Sequence, residues 1–149
     1  MNLDSRRDGG FTLLELLIVL TVAALMVTVV IPWGRMALVR FQADGATEDV
    51  VAAIGEARDL AIRRNHIVKL YVDERAPSVE VEGGHYRRLP AAVRLSGPPR
   101  GYDGKGIILF HPDGTSDGGQ VVVDIGDFAW AISVEELTGQ PRRVHAAAR

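Results

Sequence analysis

The residues from which a catalytic or metal site would have to be built are 4 histidines, 19 carboxylates and no cysteine. His66, His85, His111 and His145 follow no metal-ligand spacing. None stands in an HExxH frame, where two imidazoles one helical turn apart would share a zinc ion. Asp113, Asp117 and Asp124 lack the ligand order of a calcium loop, and Asp-Gly pairs are ordinary turn chemistry. The missing cysteines exclude thiol nucleophiles, iron–sulfur clusters, Cys-ligated zinc and disulfides. No GxSxG elbow, P-loop or GxGxxG is present and no carboxylate pair stands out, so the sequence supports neither an enzyme nor a metal or cofactor.

One carboxylate is chemically out of place. Glu15 is the single charge between Phe11 and Ile31. An acidic side chain at the centre of a bilayer helix costs roughly 2.5 to 3.5 kcal/mol, and less near an end. It therefore needs a partner, and Gly9-Gly10 points to one. In an ordinary secretory signal the small residues of the cleavage site follow the apolar run; here they precede it. A cut after Gly10 keeps the apolar segment on the mature chain and makes Phe11 its amino terminus. Amine and carboxylate then stand at i and i+4 on one helix face, where they can neutralise each other in lipid, within one subunit or between neighbours. The plainer alternative is a signal anchor with an acid near the interface.

The run Gly10-Phe11-Thr12-Leu13-Leu14-Glu15-Leu16-Leu17 resembles the prepilin cleavage and methylation motif of type IV pilins and type II secretion pseudopilins. The resemblance implies that residues 1–10 are a leader and that a membrane aspartyl prepilin peptidase cuts between Gly10 and Phe11. The same enzyme would methylate the new amino group of Phe11. The helix would serve first as a membrane anchor and then as the core of a filament, with Glu15 acting in subunit assembly. The leader departs from the strongly basic pattern, since Asp4 and Asp8 offset Arg6 and Arg7; the positive-inside rule nevertheless counts Lys and Arg alone.

These residues need elements to hold them. A chain of 149 residues, 47% hydrophobic with net charge −2, is sized for one folded domain, and it carries neither the charge excess of disorder nor a globally basic surface for nucleic acid. A helix from Phe11 to Ile31 would be roughly 31 Å long, matching the ~30 Å hydrocarbon core of a bilayer. Pro32 would kink a continuing helix or end it. Val50, Ala53, Ile54, Ala57, Leu60 and Ala61 then form an i, i+3, i+4, i+7 stripe, with charged residues largely off it. The pattern predicts one long kinked helix from Phe11 to about Arg64. Its half at 11–31 is transmembrane, and its amphipathic half at 32–64 packs on a domain at 65–149. Gly45 and Gly55 are its weak points.

After Asn65 the period changes to two. A hairpin is expected over 66–72 and 78–82, with further strands over 86–89, 92–95, 107–110, 120–125 and 129–134. Turn-forming stretches lie at 96–106 and 111–119. The expected class is α+β: a long N-terminal pilin-like helix on an antiparallel β domain. Within that domain the run from Phe110 through His111-Pro112-Asp113-Gly114-Thr115 to Gly119 leads to Trp130-Ala131-Ile132-Ser133-Val134 and Thr138-Gly139-Gln140-Pro141-Arg142. Together these look like the C-terminal pattern of H-type minor pseudopilins (GspH) and the related FimT/FimU minor pilins.

The resemblance implies a structural subunit near the tip of the type II secretion pseudopilus, anchored once in the inner membrane with its β domain in the periplasm. Its partners would be the prepilin peptidase, other major and minor pseudopilins, inner-membrane lipid and secreted cargo. The alternative is a minor type IV pilin in pilus assembly or DNA uptake. Arg87, Arg88, Arg94, Arg142, Arg143 and Arg149 would serve it as a phosphate-binding stripe if the fold gathered them; otherwise they are a solvated charged face.

Overall fold

The computed structural model describes residues 12–98, 101 and 104–146, without the side chains of 27–36, 145 and 146. The expected leader, Gly10, Phe11 and Arg149 lie outside the described residues, as do the side chains of Pro32 and His145. The chain divides into two units, Met1–Ala37 and Leu38–Arg149. Helix α1, Leu13–Arg64, passes through both. It continues through Pro32, so the proline does not end it. Its last turn carries Arg63 and Arg64, placing positive charge at the negative end of the helix dipole. Asn65 stops it with a φ of 52°, a left-handed conformation that asparagine tolerates better than most residues.

In the second unit the predicted stripe is the buried face of α1: Val50, Ala53, Ile54, Ala57 and Ala61 are fully buried and Leu60 nearly so. Ala43 and Ala46 extend it towards the N-terminus. Five of these eight residues are alanines, whose short side chains let a helix lie close to a sheet.

Eight antiparallel strands receive that face in two four-stranded sheets. The first has the order β3-β2-β1-β5, from β1 (Val68–Asp73), β2 (Ser78–Val81), β3 (Tyr86–Arg88) and β5 (Gly106–Phe110). The second has the order β4-β6-β7-β8, from β4 (Arg94–Ser96), β6 (Gly119–Ile125), β7 (Phe128–Val134) and β8 (Pro141–Ala146). Alternation puts Val68, Leu70 and Val72 of β1, and Val121, Val123 and Ile125 of β6, into one core with Ile54 and Phe110.

Seven strands fall on the expected segments, displaced by a residue or two at some ends. β8 does not: Pro141-Arg142-Arg143 has no apolar alternation, and pairing with β7 is what makes it a strand. Arg142 stands opposite Ser133, and Val144 opposite Ala131. Pro141 is tolerated as the first residue of an edge strand, where its missing N–H breaks no ladder.

Gly45 and Gly55 have nothing within 4 Å of where a Cβ would stand. Replacing Gly55 with Ala should therefore raise stability by about 0.5–1 kcal/mol, and Gly45→Ala should do likewise. Ile54→Ala, one residue away on the buried face, should cost about 2–5 kcal/mol. Denaturant unfolding of the full chain in detergent, followed by circular dichroism, distinguishes the two signs.

Candidate functional site: an exposed apolar helix with one acid

Thr12 immediately precedes helix α1, and its Oγ1 accepts a hydrogen bond from the Glu15 backbone N–H at 3.2 Å. The Leu16 N–H donates to the Thr12 carbonyl, also at 3.2 Å. Thr12 is thus the N-cap and Glu15 the third helical residue, the Thr-x-x-Glu frame of a capping box. Its carboxylate sits where the helix dipole is positive. The sequence reading missed this second role, although Thr-x-x-Glu ahead of an apolar run signals it.

Around Glu15 the helix is bare. Leu13 is 82% exposed, and Leu14, Leu16, Leu17, Ile18, Val19 and Leu20 are also exposed. Thr21 returns its hydroxyl proton to the Leu17 carbonyl at 2.7 Å, so even the polar residue of this stretch offers no free donor to its surroundings. A contiguous apolar surface of this kind has to be covered by lipid or by protein. Among the described residues no helix is long and apolar enough to cross a membrane. The expected span 11–31 lies partly outside them, at Phe11 and at the side chains of 27–31.

The motif residues of the β domain are brought together for a structural purpose. Arg58, projecting from α1, donates from Nε to the carbonyls of Gly114 at 3.3 Å and Thr138 at 2.7 Å. One helix side chain therefore ties the β5–β6 turn to the β7–β8 turn. Gly139 is required there: its φ is 61°, and a Cβ would stand 2.6 Å from the Gly114 carbonyl. Asp113 accepts from the Thr115 N–H and hydroxyl, at 3.0 and 2.7 Å, and His111 Nε2 lies 2.8 Å from Asp117 Oδ1. These turn carboxylates are occupied in holding their own turns.

A second polar anchor was not foreseen, because Glu56 looks like any solvated helix acid in the sequence. Its Oε1 accepts from the His85 backbone N–H at 3.0 Å and lies 2.6 Å from His85 Nδ1. Its Oε2 lies 2.7 Å from Arg87 Nη1, in a pair whose side chains are only 16% and 24% exposed. Burial pushes the Glu56 carboxyl up, but the Arg87 guanidinium beside it and the hydrogen bonds from His85 outweigh that and hold the group below its ordinary value.

Among the described residues the arginines form no stripe. Arg87 is committed to Glu56. Arg94 on β4 and Arg142 and Arg143 on β8 occupy opposite edges of one sheet, with two strands between them and so about 14 Å of separation.

Comparison with known proteins agrees with this geometry. Residues 5–31 match the prokaryotic N-terminal methylation motif. The chain is 30% identical over 143 residues to type II secretion system protein H of Xanthomonas campestris pv. campestris, covering 92% of this chain and 83% of that protein. In fold it is similar to the minor pseudopilin EpsH of the Vibrio cholerae type 2 secretion system, with a TM-score of 0.53 at 10% identity, over 70% of this chain and 97% of that one. It is also similar to the type IV minor pilin FimU of Pseudomonas aeruginosa, with a TM-score of 0.53 at 11% identity, over 68% and 91% of the respective chains.

The Glu56 anchor gives a pH dependence whose sign is fixed. A carboxyl held low in the folded state stabilises the protein above its unfolded pKa, and that contribution fades as pH falls through the folded value. The wild type should therefore lose stability as pH drops below the ordinary Glu value of 4.5. Glu56→Gln should already be less stable at pH 7, by about 1–3 kcal/mol, because Arg87 is left without its charge partner. The difference between the two proteins should shrink towards acid pH in denaturant titrations. A gap unchanged from pH 7 to pH 3 would show that the Glu56 charge does not contribute.

Proposed function

Since the chain belongs to the type II secretion protein H family, we propose that it works as a minor pseudopilin, a structural subunit of the type II secretion pseudopilus near its tip. The observation that carries this reading is the bare apolar helix with Glu15 as its one acid in the first turn. In this reading the prepilin peptidase cuts between Gly10 and Phe11 and methylates Phe11. The segment at 11–31 then resides in the inner membrane, Pro32 bends the helix beyond it, and the β domain faces the periplasm. The helix leaves lipid for the filament, where its apolar surface is covered by the helices of other major and minor pseudopilins. The β domain is left to meet neighbouring subunits and secreted cargo.

Glu15 fits both environments. At the membrane edge it lies close to the interface and to the positive end of the helix dipole, which lowers the cost of its charge. Inside a filament stripped of water it needs a positive partner, and the amino terminus of an adjacent subunit supplies charge and axial register in one contact. The pilin alternative with DNA as partner draws no support from the separated arginines, and the likeness to FimU is one of fold.

Two variants separate the roles of Glu15. Glutamine at the third helical position can still complete a capping box, whereas alanine cannot. Glu15→Gln should therefore leave the helix start intact while removing the charge, and Glu15→Ala should remove both. Each should reach the membrane at wild-type level or slightly above, judged by immunoblot, with the leader lost by intact mass. Both should fail to co-purify with the other minor subunits and to support secretion. Normal assembly with Gln and failure only with Ala would reassign Glu15 to the helix cap; normal assembly with both would leave it an interfacial acid.

A further inference from the structure

The two sheets have four edge strands, and three of them are short or already covered. β3 and β4 are three residues long. β5 is flanked by the chain itself: the Asp117 N–H donates to the Leu109 carbonyl at 3.1 Å, the His111 N–H to the Thr115 carbonyl at 2.9 Å, and Phe110 bridges to Ser116. β8 is six residues long and pairs with β7 alone. The Glu135 N–H donates to the Gln140 carbonyl at 3.0 Å, which makes that facing pair a hydrogen-bonded one. Alternation then makes Ser133–Arg142 and Ala131–Val144 hydrogen-bonded pairs too, and turns the N–H and carbonyl of Arg143 and of His145 away from β7. Pro141 falls in the outward set, so its missing N–H costs the β7 ladder nothing.

Residues directly opposite one another share a sheet face. Val144, 47% exposed, therefore continues the row Val122–Ala131 on the face turned away from the core. Arg142 lies on that same face, opposite Ser133, and Arg143 on the core side, opposite Ile132. Both are exposed, and neither guanidinium has a hydrogen-bond or ion-pair partner among the described residues. Charge on an edge strand commonly serves only to keep like edges apart. Here it also selects what can approach: two adjacent cations on opposite faces fit two adjacent carboxylates, followed by an apolar residue opposite Val144. No copy of this chain supplies such a strand, because β3, β4, β5 and β8 carry no carboxylate, while β1, β2 and β6, which do, are paired on both sides.

We propose that the free edge of β8 is a docking site for an extended segment of a different protein, which joins the sheet as a further strand with two adjacent carboxylates against Arg142 and Arg143 and an apolar side chain against Val144. The backbone ladder supplies attachment, and the arginines supply the choice of partner. A slip of one residue would set a carboxylate against Val144, so register is fixed as well. The inference stands on the β domain alone and adds to the pseudopilin reading a binding edge that the helix does not provide.

The probe is a fluorescent synthetic peptide with two central glutamates flanked on each side by valine and then threonine, a pattern that reads alike in both strand directions. Titrated to about 1 mM against the full chain in uncharged detergent, it should bind about tenfold more tightly than the same peptide with lysines for glutamates, as measured by anisotropy. Arg142→Glu with Arg143→Glu should reverse that preference, and binding of the lysine peptide by the variant shows that β8 is still formed. Two further peptides carry methyl groups on alternate backbone nitrogens, in the two possible phases. Strand addition requires that one phase loses binding by about tenfold or more and the other retains it, since only alternate amides face β8. Equal affinity for glutamate and lysine peptides, no binding of either, or equal effects of the two methylation phases overturns the proposal. None of these readouts involves the leader, Phe11 or Glu15, so the pseudopilin reading stands or falls separately.

Discussion

The alanine-rich face of α1 is the constraint from which the rest of the β domain follows. Ala43, Ala46, Ala53, Ala57 and Ala61 lie buried in one core with residues of two sheets that meet no other helix among the described residues. Val50, Ile54 and Leu60 fill the space between them. Each sheet has one apolar face that would stay in water if the sheet stood alone. Laid against the same helix, both bury that face in a single core, and each strand's alternation has one direction in which to point.

Polar side chains beside that face fix where the sheets sit. Glu56 and Arg58 flank the buried Ala57 and reach to different parts of the domain. Glu56 holds His85 in the β2–β3 turn and Arg87 on β3 of the first sheet. Arg58 holds the turn joining the two sheets and the turn before β8. A buried charge left unpaired is strongly destabilising, so these contacts discriminate against displaced packings more than they add to net stability. The glycines at the contact points belong to the same device: a Cβ on Gly84 would stand 2.6 Å from Glu56 Oε1, and one on Gly139 would strike the Gly114 carbonyl.

The first unit has the opposite character. From Leu13 to Leu20 it offers leucine, isoleucine and valine and a single charge, with every one of these apolar side chains more than half exposed. Its helix is nevertheless properly begun, with Thr12 as cap and Glu15 in the frame of the capping box. Glu15 thus serves a local purpose in one chain and, in the pseudopilin reading, an intermolecular one in a filament. A carboxylate is tolerable at the positive end of a helix dipole, which lowers the cost of its charge.

Whatever depends on period and spacing was legible in the sequence. The helix to Arg64, its buried stripe, seven of the strands, and the pairing of Gly9-Gly10 with Glu15 that led to the pilin-like family are all local patterns, because hydrophobic periodicity and turn chemistry are properties of neighbouring residues. What required the tertiary structure is every contact between residues distant in the chain. β8 exists because β7 offers it a ladder, since Pro141-Arg142-Arg143 carries no strand pattern of its own. Glu56 and Arg58 read as solvated helix charges until the fold brings Arg87 and the Gly114 and Thr138 carbonyls to them. The arginines, close in composition to a nucleic-acid stripe, are set on different strands and edges by strand order, which no local pattern encodes.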